Sequence, residues 1–335
     1  MKTALVLGAG GFIGGHWVRH LLKNGYRVTA QDIKPFREWY QIHDCRNVEQ
    51  SNASSEITVS RLMEETAEVY NFACNMGGIG FLEDNHLMAG LSININTAII
   101  KAALKHKPSL IFYSSSACVY NELKQRETNS PALKETDAWP AQPDLLYGME
   151  KLFSEELYRY LFKEYSIPTY IARLHNVYGP FGTWAGGREK APAAAIRKVI
   201  RAQRVGSTKI PIWGDGKQTR SFMYIDDCIE GIDRIINCPN LVAKPINLGS
   251  DELVSIRQLH DIAAQIAGIK AEYKYDLSAP QGVRGRNANN TLIETTLGWK
   301  PSILLFNGMK ETFKWISSDF NNADSPFRIN HELRW

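Results

Sequence analysis

The stretch TALVLGAGGFIGGHWVRHLL, residues 3–22, decides the fold of this 335-residue chain. An apolar strand, Thr3 to Leu7, leads into a glycine turn, Gly8 to Gly14, and a helical pattern then runs to about Leu22. Glycines let the chain turn tightly, and the free N–H groups at the start of a helix bind phosphate oxygens. The order of strand, glycine turn and helix therefore predicts a dinucleotide-binding unit.

A second apolar segment, Tyr26 to Ala30, is followed by Gln31 and Asp32. A carboxylate at the end of this strand hydrogen-bonds the adenosine ribose hydroxyls of a dinucleotide and repels a 2′-phosphate. The position of Asp32 therefore predicts NAD rather than NADP. A plain turn with a surface aspartate is the alternative interpretation of the same residues.

Strand and helix patterns continue to alternate along the first half of the chain. Glu68–Cys74 and Ser109–Ser115 have the pattern of strands, and helix lies within Asp84–Lys105. Repeated βα units predict a Rossmann-type α/β fold, a doubly wound parallel sheet whose ligands bind beyond the carboxyl ends of its strands. Cys118, in the stretch SSSACVY at 114–120, follows one of these ends, so we expect it at the ligand site.

Composition and charge narrow the function classes. The formal net charge is +4 and no run of five like charges occurs, which argues against nucleic acid or a membrane surface as partner. We see no apolar run of the roughly 18 residues that span a bilayer, so we expect no membrane association and a cytoplasmic protein. Five scattered cysteines without a Cys-x-x-Cys pair favour neither disulfides nor a zinc site. His16 and His20 lack a third ligand nearby, so we expect no metal.

Tyr147 and Lys151 lie four residues apart, which places them on one face of a helix. An ammonium group and an oxidised nicotinamide stabilise a phenolate, so the tyrosine pKa is expected to fall from about 10 toward neutrality. The tyrosine can then remove a proton from a substrate hydroxyl while hydride leaves for the cofactor. Ser116 would hydrogen-bond the same hydroxyl.

These residues together resemble the extended short-chain dehydrogenase/reductase superfamily, which mostly acts on sugars linked to nucleoside diphosphates. Further matching motifs are RLHNVYGP at 173–180, RSFMYIDD at 220–227 and INLGS at 246–250. Sugar 4,6-dehydratases of this group carry acidic residues where this chain has Ala117 and Cys118, and 4-epimerases usually have threonine or serine at the second position. A thiol, with a reference pKa of about 8.5, suits proton exchange at a carbon next to a ketone.

A more specific resemblance is to the GDP-mannose 3,5-epimerase family, and it runs from Leu5 to about Pro301. In that family a bound NAD oxidises the sugar C4 hydroxyl, and the ketone acidifies the hydrogens at C5 and C3. A cysteine and a lysine on opposite sides of the ring then exchange those protons before C4 is reduced again. The matching stretches are NMGGIGF at 75–81, SSACVY at 115–120, KETDAWPA at 134–141, GPFGTWAGGREKAPAA at 179–194, WGDGKQTRSF at 213–222 and GVRGRN at 282–287.

The resemblance assigns a role to each matching residue. Tyr147, Lys151 and Ser116 would perform the redox step, and Cys118 and Lys190 would exchange the protons. Arginines suit the pyrophosphate of a GDP-sugar because their fork of donors matches its oxygens. Substrate contacts are expected from Gly77, Ser116, Cys118, Asn176, Glu189, Lys190, Ala191, Lys198, Gln218, Arg220 and Arg286. Cofactor contacts are expected from Gly8, Gly11, Phe12, Ile13, Gly14, Asp32, Asp44, Ala73, Tyr147 and Lys151.

The chain departs from this resemblance at several positions. Gly14 replaces an alanine, the segment from Asp32 to Asp44 is shorter, and Asn121 stands where many relatives have glycine or proline. A solvated lysine, a thiol that fills space and a surface arginine are the structural alternatives for the proposed site groups. The functional alternatives are an epimerase or 4-dehydrogenase for another GDP-sugar, such as GDP-manno-heptose, and a non-catalytic NAD-binding protein.

The chain is expected to form two interleaved lobes. We predict an NAD-binding domain from residues 1–173 with a returning segment at about 222–247. A smaller C-terminal lobe for the nucleotide sugar would come from about 174–221 and 248–335. The resemblance also implies a homodimer that pairs through helices.

Overall fold

The computed structural model describes residues 2–322 and Ser325. Met1 and residues 323–324 and 326–335, which the two predicted lobes include, lie outside the described residues. The strands are β1 (Thr3–Leu7), β2 (Arg27–Asp32), β3 (Asn47–Gln50), β4 (Glu68–Asn71), β5 (Leu110–Ser116), β6 (Thr169–Leu174), β7 (Val177–Tyr178), β8 (Lys209–Trp213), β9 (Thr219–Ser221), β10 (Met223–Tyr224), β11 (Pro245–Leu248), β12 (Leu253–Ser255), β13 (Glu272–Asp276) and β14 (Gly285–Arg286). The helices are α1 (Phe12–Lys23), α2 (Glu56–Met63), α3 (Ile79–Asp84), α4 (His86–Gly90), α5 (Ile93–His106), α6 (Leu146–Tyr165), α7 (Ala191–Arg204), α8 (Ile225–Ile236), α9 (Ile256–Ala267), α10 (Thr291–Leu297) and α11 (Leu305–Asp319).

The main sheet has seven strands in the order β11-β6-β5-β4-β1-β2-β3. All six pairings between neighbours are parallel. The chain runs from β1 outward to β3 and then crosses back to β4 on the other side of β1. This confirms the predicted doubly wound Rossmann-type sheet, and it places a topological switch point between β1 and β4, where such sheets bind ligands.

Alternating side chains of the central strands build two cores. Ala4 and Val6 pack in the cluster that contains Trp17 of α1, whereas Leu5 and Leu7 pack in the cluster that contains residues of α2 and α5. Successive strand residues point to opposite faces of a sheet, so an apolar run such as TALVL buries both faces. The sheet therefore lies between two layers of helices, and the carboxyl ends of its strands are left open to ligands.

Strand β4 ends at Asn71, three residues before the predicted end at Cys74. The side-chain oxygen of Asn71 accepts the N–H of Ala73 at 3.0 Å, which takes that donor away from the sheet ladder. Strand β2, by contrast, continues two residues beyond its predicted end and finishes at Asp32. The chain is thus irregular after β4, close to the switch point.

One helical stretch among the described residues, His86–His106, is long and apolar enough to cross a membrane by length and composition, with a mean hydropathy of 1.4 over its most apolar window. We did not expect such a stretch from the sequence. In the structure, its buried Asn96 contacts Asn71, Glu150 and Ser154 at 2.7–3.0 Å. These polar contacts tie α5 to β4 and α6, so it is a core helix of the α/β domain.

Short strands and the later helices form the remaining part of the chain. Strand β14 pairs in parallel with β9, and this register sets Arg286 opposite Arg220. Strand β12 completes this three-stranded sheet, and β8 pairs separately with β13. The small sheets bring two predicted substrate-binding arginines from segments 66 positions apart in sequence to one place.

Candidate active site

The turn after β1 packs so closely against neighbouring backbone that two of its glycines leave no room for a side chain. Gly8 has φ +80°, and a Cβ on it would lie 2.7 Å from the backbone nitrogen of Ala73. A Cβ on Gly14 would lie 2.1 Å from the carbonyl oxygen of Gly8. Side chains are therefore excluded at both positions. Gly11, Phe12 and Ile13 form the start of α1, whose N-terminus offers N–H groups to a pyrophosphate.

Buried polar groups lie beside this turn, at the ends of β2 and β3. Asp32 ends β2, and its carboxylate accepts the N–H of Lys34 at 3.0 Å. The side-chain oxygen of Gln31 and the hydroxyl of Ser51 are buried without a hydrogen-bond partner among the described residues. Buried polar groups are normally satisfied, so these atoms fit the adenosine half of a dinucleotide.

Asp44 does not share this position. It is exposed and lies ahead of β3, which begins only at Asn47. The residues at the carboxyl end of β3 are Gln50 and then Ser51. Strand β3 has the polar sequence NVEQ, so no apolar run marks it, and the cofactor contact of Asp44 stays a prediction.

Residues 33–45, which we call the strap, cross over the glycine turn. The buried Trp39 lies against Gly10, where an added Cβ would be 2.7 Å from the indole ring. The backbone N–H of Tyr40 donates to the carbonyl oxygen of Gly10 at 3.1 Å. The hydroxyl of Tyr40 contacts the hydroxyl of Thr183 at 2.5 Å. The strap therefore links the glycine turn to the segment that leads to Lys190, a feature that the sequence analysis did not identify.

Ser116, Tyr147 and Lys151 come together at the ends of β5 and α6. Tyr147 is buried, and Ser116 lies beside it. The amine of Lys151 donates to the carbonyl oxygen of Ser114 at 3.0 Å and lies 5.7 Å from the centre of the Tyr147 ring. Gly148 allows this packing, because a Cβ there would lie 2.1 Å from the carbonyl oxygen of Cys118.

The protein groups around Tyr147 raise its pKa well above the ordinary value. Burial is the main cause, the nearby thiols of Cys74 and Cys118 act in the same direction, and the hydrogen bond from Ser116 opposes them. From the sequence we expected the pKa to fall when an oxidised nicotinamide is bound beside Lys151, and that expectation stays a prediction. The rise described here comes from the protein groups alone, because burial disfavours the charged form of a phenolate.

Lys190 and Cys118 both reach this site from irregular segments. Lys190 directly precedes α7, and its amine donates to the carbonyl oxygen of Gly77 at 3.2 Å. Burial lowers the pKa of Lys190, while the thiol of Cys118 opposes that shift. Gly78 permits the approach of the two segments, because a Cβ there would lie 2.5 Å from the carbonyl oxygen of Glu189. An amine and a thiol thus share one site.

Arg286 is held by three side chains at once. It donates to the amide oxygen of Gln125 at 2.5 Å and to the carboxylate of Asp144 at 3.1 Å. Its third donor lies 3.3 Å from the sulfur of Cys118. Gln125 and Asp144 were not identified from the sequence, because no motif marks either residue.

Arg220 lies beside Arg286 and donates to the carbonyl oxygens of Thr219, Gln281 and Val283. Burial, followed by the charge of Arg286, lowers the pKa of Arg220 to about 9. A guanidinium whose described partners are neutral carbonyl oxygens keeps its positive charge available for an anion. The pair therefore suits a pyrophosphate.

The other expected substrate residues lie around this arginine pair. Gln218 donates to the carbonyl oxygen of Trp213 at 3.0 Å, and its own side-chain oxygen is buried without a partner among the described residues. The amine of Lys198 donates to a carbonyl oxygen at 2.9 Å, and burial lowers its pKa to about 8. Asn176 adopts φ +33° and donates to the carbonyl oxygen of Ser221 at 3.1 Å.

Glu189 and Ala191 flank Lys190 on its two sides in the chain. Glu189 forms an ion pair with Arg197 at 2.8 Å and accepts the N–H of Gly187 at 2.7 Å. Ala191 is the first residue of α7. The protein contacts of Glu189 shape the loop that carries Lys190.

Comparison with known proteins agrees with this arrangement. The NAD dependent epimerase/dehydratase family matches residues 4–249. GDP-mannose 3,5-epimerase of Arabidopsis thaliana is 40% identical over 93% of this chain and 81% of the relative. GDP-mannose 3,5-epimerase 1 of Oryza sativa subsp. indica is also 40% identical, over 93% of this chain and 80% of the relative.

Solved structures show the same fold. UDP-glucose 4-epimerase of Thermotoga maritima, solved with UDP-glucose, superposes with a TM-score of 0.85 at 22% identity, covering 95% of this chain and 100% of that one. UDP-glucuronic acid 4-epimerase of Bacillus cereus, solved with UDP-glucuronic acid and NAD, gives 0.80 at 26% identity over 95% and 99% of the two chains. The chain belongs to the NAD-dependent epimerase/dehydratase family and, within it, to the GDP-mannose 3,5-epimerase family.

Proposed function

We propose that this NAD-dependent nucleotide-sugar epimerase acts on GDP-mannose and inverts both C3 and C5. The observation that carries the proposal is the presence of two further proton-transfer groups, the thiol of Cys118 and the amine of Lys190, beside Tyr147 and Lys151. A 4-epimerase needs only the redox set. The identity of 40% to enzymes named GDP-mannose 3,5-epimerase supports the same conclusion.

We assign the cofactor to the glycine turn, to Asp32 at the end of β2, and to Ala73, Tyr147 and Lys151. When bound, NAD accepts two electrons and a hydrogen from sugar C4 and later returns them. Asp44, which is exposed ahead of β3, is expected to contact the cofactor as well. The excluded side chains at Gly8 and Gly14, described above, support the assignment to the glycine turn.

Tyr147 would take the proton of the C4 hydroxyl, and Ser116 would hydrogen-bond the same oxygen. The protein groups alone keep Tyr147 protonated at neutral pH, since burial raises its pKa. A positive charge on the bound cofactor would counter this effect. Lys151, fixed on Ser114, holds a second positive charge beside the ring. General acid–base assistance of this kind contributes about 10²–10⁴ in rate.

Cys118 and Lys190 would exchange protons at C5 and C3 while C4 is a ketone. One group takes the C–H proton and leaves the electron pair delocalised into the ketone, and the other delivers a proton to the opposite face. The lowered pKa of Lys190 increases its neutral fraction near pH 7, and only the neutral amine can accept a proton. Each centre then has an acid and a base available.

The GDP portion would bind across the small sheets. We assign the pyrophosphate to Arg220, with further contacts from Asn176, Lys198 and Gln218. Arg286 would face the same phosphates. We further assign residues 1–173 and about 222–247 to a cofactor lobe, and about 174–221 with the segment from 248 onward to a substrate lobe.

We propose a homodimer that pairs through α4 and α6. Apolar side chains that are 44–55% exposed recur along one side of α6, at Leu146, Met149, Phe153 and Tyr160. Such a patch marks an interaction surface. Replacing Phe153 with glutamate is expected to give a monomer in sedimentation equilibrium, whereas the same change at the exposed Ile57 of α2 is expected to leave the dimer intact. We also propose a cytoplasmic role in carbohydrate biosynthesis.

Incubation with GDP-mannose in D2O tests the proposed reaction. We expect deuterium at both C3 and C5, located by NMR and counted by mass spectrometry. Deuterium at C5 alone would indicate a single-centre epimerase. No deuterium from active, NAD-loaded protein would overturn the proposal, and GDP-manno-heptose or a net 4-dehydrogenation with accumulating NADH would then be examined.

A further inference from the structure

We propose that Asp144 is a positioning residue that holds Arg286 against the thiol of Cys118. The inference rests on the proposed function, because it concerns the group that exchanges protons with the sugar. It gives Arg286 a second task besides facing the phosphates. It also gives a function to Asp144, which lies just before α6 and three residues before Tyr147.

Each nitrogen of the Arg286 guanidinium donates to a different side chain. Gln125, which is fully buried, accepts from Nε at 2.5 Å, and Asp144 accepts from one terminal nitrogen at 3.1 Å. The other terminal nitrogen is directed at the sulfur of Cys118, 3.3 Å away. Arg286 is itself 7% exposed. Two anchors therefore determine where the third donor points.

The charges around Arg286 favour the same assignment. Burial opposes its charge, yet the thiol of Cys118 and the carboxylate of Asp144 raise the pKa of Arg286 above its ordinary value. The second carboxylate oxygen of Asp144 is buried without a partner among the described residues. A buried carboxylate oxygen without a hydrogen-bond partner destabilises a fold. Packing alone therefore does not explain the presence of Asp144 at this position.

The proton transfer explains what the anchor would achieve. When Cys118 acts as base, its thiolate takes a proton from carbon and becomes a thiol. For the next step, the thiol either acts as acid or loses its proton so that the thiolate is re-formed. A guanidinium in contact with the sulfur stabilises the thiolate. The substrate pyrophosphate also attracts Arg286, so without Asp144 the side chain can leave the sulfur for the phosphates. Arg220, which contacts only carbonyl oxygens among its described partners, stays available for the pyrophosphate.

The contact between Arg286 and Cys118 can be tested without turnover. The rate at which iodoacetamide alkylates Cys118 at pH 7, followed on its own peptide by mass spectrometry, reports the thiolate fraction. We expect Arg286→Met to slow it about tenfold, since the variant removes the positive charge 3.3 Å from the sulfur that favours the reactive thiolate. The matched control is Arg284→Met, which removes a half-exposed arginine paired with Asp215 at 3.0 Å, two residues away. Equal rates in the two variants would overturn the proposal.

The role of Asp144 is tested by separating exchange from binding. In Asp144→Leu we expect deuterium incorporation at C3 and C5 to fall about tenfold, while KM does not rise and C4 oxidation, seen as NADH absorbance, persists. Asp144→Asn keeps an acceptor oxygen and should restore most of the exchange. Asp215→Leu is the control and should match the wild type. A higher KM with normal exchange, or equal loss in Asp144→Asn and Asp144→Leu, would contradict positioning. If wild-type protein exchanges no deuterium, the proposed function fails instead, and the alkylation result still decides the Arg286–Cys118 contact.

Discussion

The two chemical halves of the candidate site are built differently. Ser116 ends β5, and Tyr147 and Lys151 lie in the first two turns of α6, a 20-residue helix. Cys118 lies in a three-residue turn, Lys190 precedes α7, and Arg286 lies in a two-residue strand. Regular backbone hydrogen bonds position the redox residues, whereas side-chain contacts and glycines position the proton-exchange residues.

This difference has a physical consequence. The redox residues depend on elements that are also the core of the sheet domain, so they cannot move without disturbing the fold. The exchange residues depend on contacts between segments far apart in sequence, such as Lys190 with Gly77 and Arg286 with Asp144. Proton exchange is therefore expected to be sensitive to single side-chain changes that leave the redox step intact.

The largest expected effect is on the redox half. Tyr147→Phe removes the hydroxyl that would accept the C4 proton, so C4 oxidation and deuterium exchange should both fall about 10²–10⁴-fold. Tyr165→Phe, at the exposed end of the same helix, is the matched control and should retain activity. Deuterium exchange that survives in Tyr147→Phe would contradict this interpretation, because exchange would then not require C4 oxidation by the redox half.

A smaller effect is expected at the strap over the glycine turn. Trp39→Ala removes an indole that is 4% exposed and packed on Gly10, which opens the turn to solvent. We expect NAD to dissociate about tenfold faster, measured as bound nucleotide after gel filtration. Trp139→Ala, at a site 51% exposed, should keep its NAD. Unchanged retention in Trp39→Ala would show that the strap does not help to hold the cofactor.

The smallest effect concerns the free energy of unfolding, which the buried amine of Lys198 is expected to lower. Burial lowers the pKa of Lys198 to about 8, whereas an unfolded lysine titrates near 10.4. The unfolded state thus binds more protons between about pH 8 and 10.4, so the free energy of unfolding should rise with pH across that window, and the penalty is fully present below pH 8.

The two pKa values correspond to about 3 kcal/mol, and the lost hydrogen bond to the carbonyl oxygen of Pro211 offsets about 1–2 kcal/mol of it. Lys198→Met should therefore remove this pH dependence and raise the free energy of unfolding at pH 7 by about 1–2 kcal/mol. GDP-mannose binding should weaken at the same time. Denaturant unfolding at pH 7 and pH 10 measures the first effect, and Lys209→Met, at the exposed start of β8, is the control. If the free energy of unfolding changes between pH 7 and pH 10 by the same amount in Lys198→Met as in the wild type, the buried amine of Lys198 does not destabilise the fold.

The sequence predicted the redox half better than the exchange half. Residues 3–22 and Asp32 indicated the βα unit correctly, because glycine positions and strand ends are local properties. The cofactor contact expected of Asp44 comes from the resemblance and stays a prediction, and the polar strand β3 that follows it carries no apolar signal. The rise in the pKa of Tyr147 depends on burial, which a four-residue spacing does not reveal. Asp144 and Gln125 acquire their contacts only when distant segments meet at Arg286.

The most direct test of the separation between the two halves is position-resolved deuterium exchange in Cys118→Ala and Lys190→Ala with GDP-mannose, together with NADH absorbance. We expect deuterium at C3 and C5 for the wild type. In each variant we expect loss at one or both centres while C4 oxidation persists. Wild-type exchange in both variants, or loss of C4 oxidation together with exchange, would contradict the separation between the two halves.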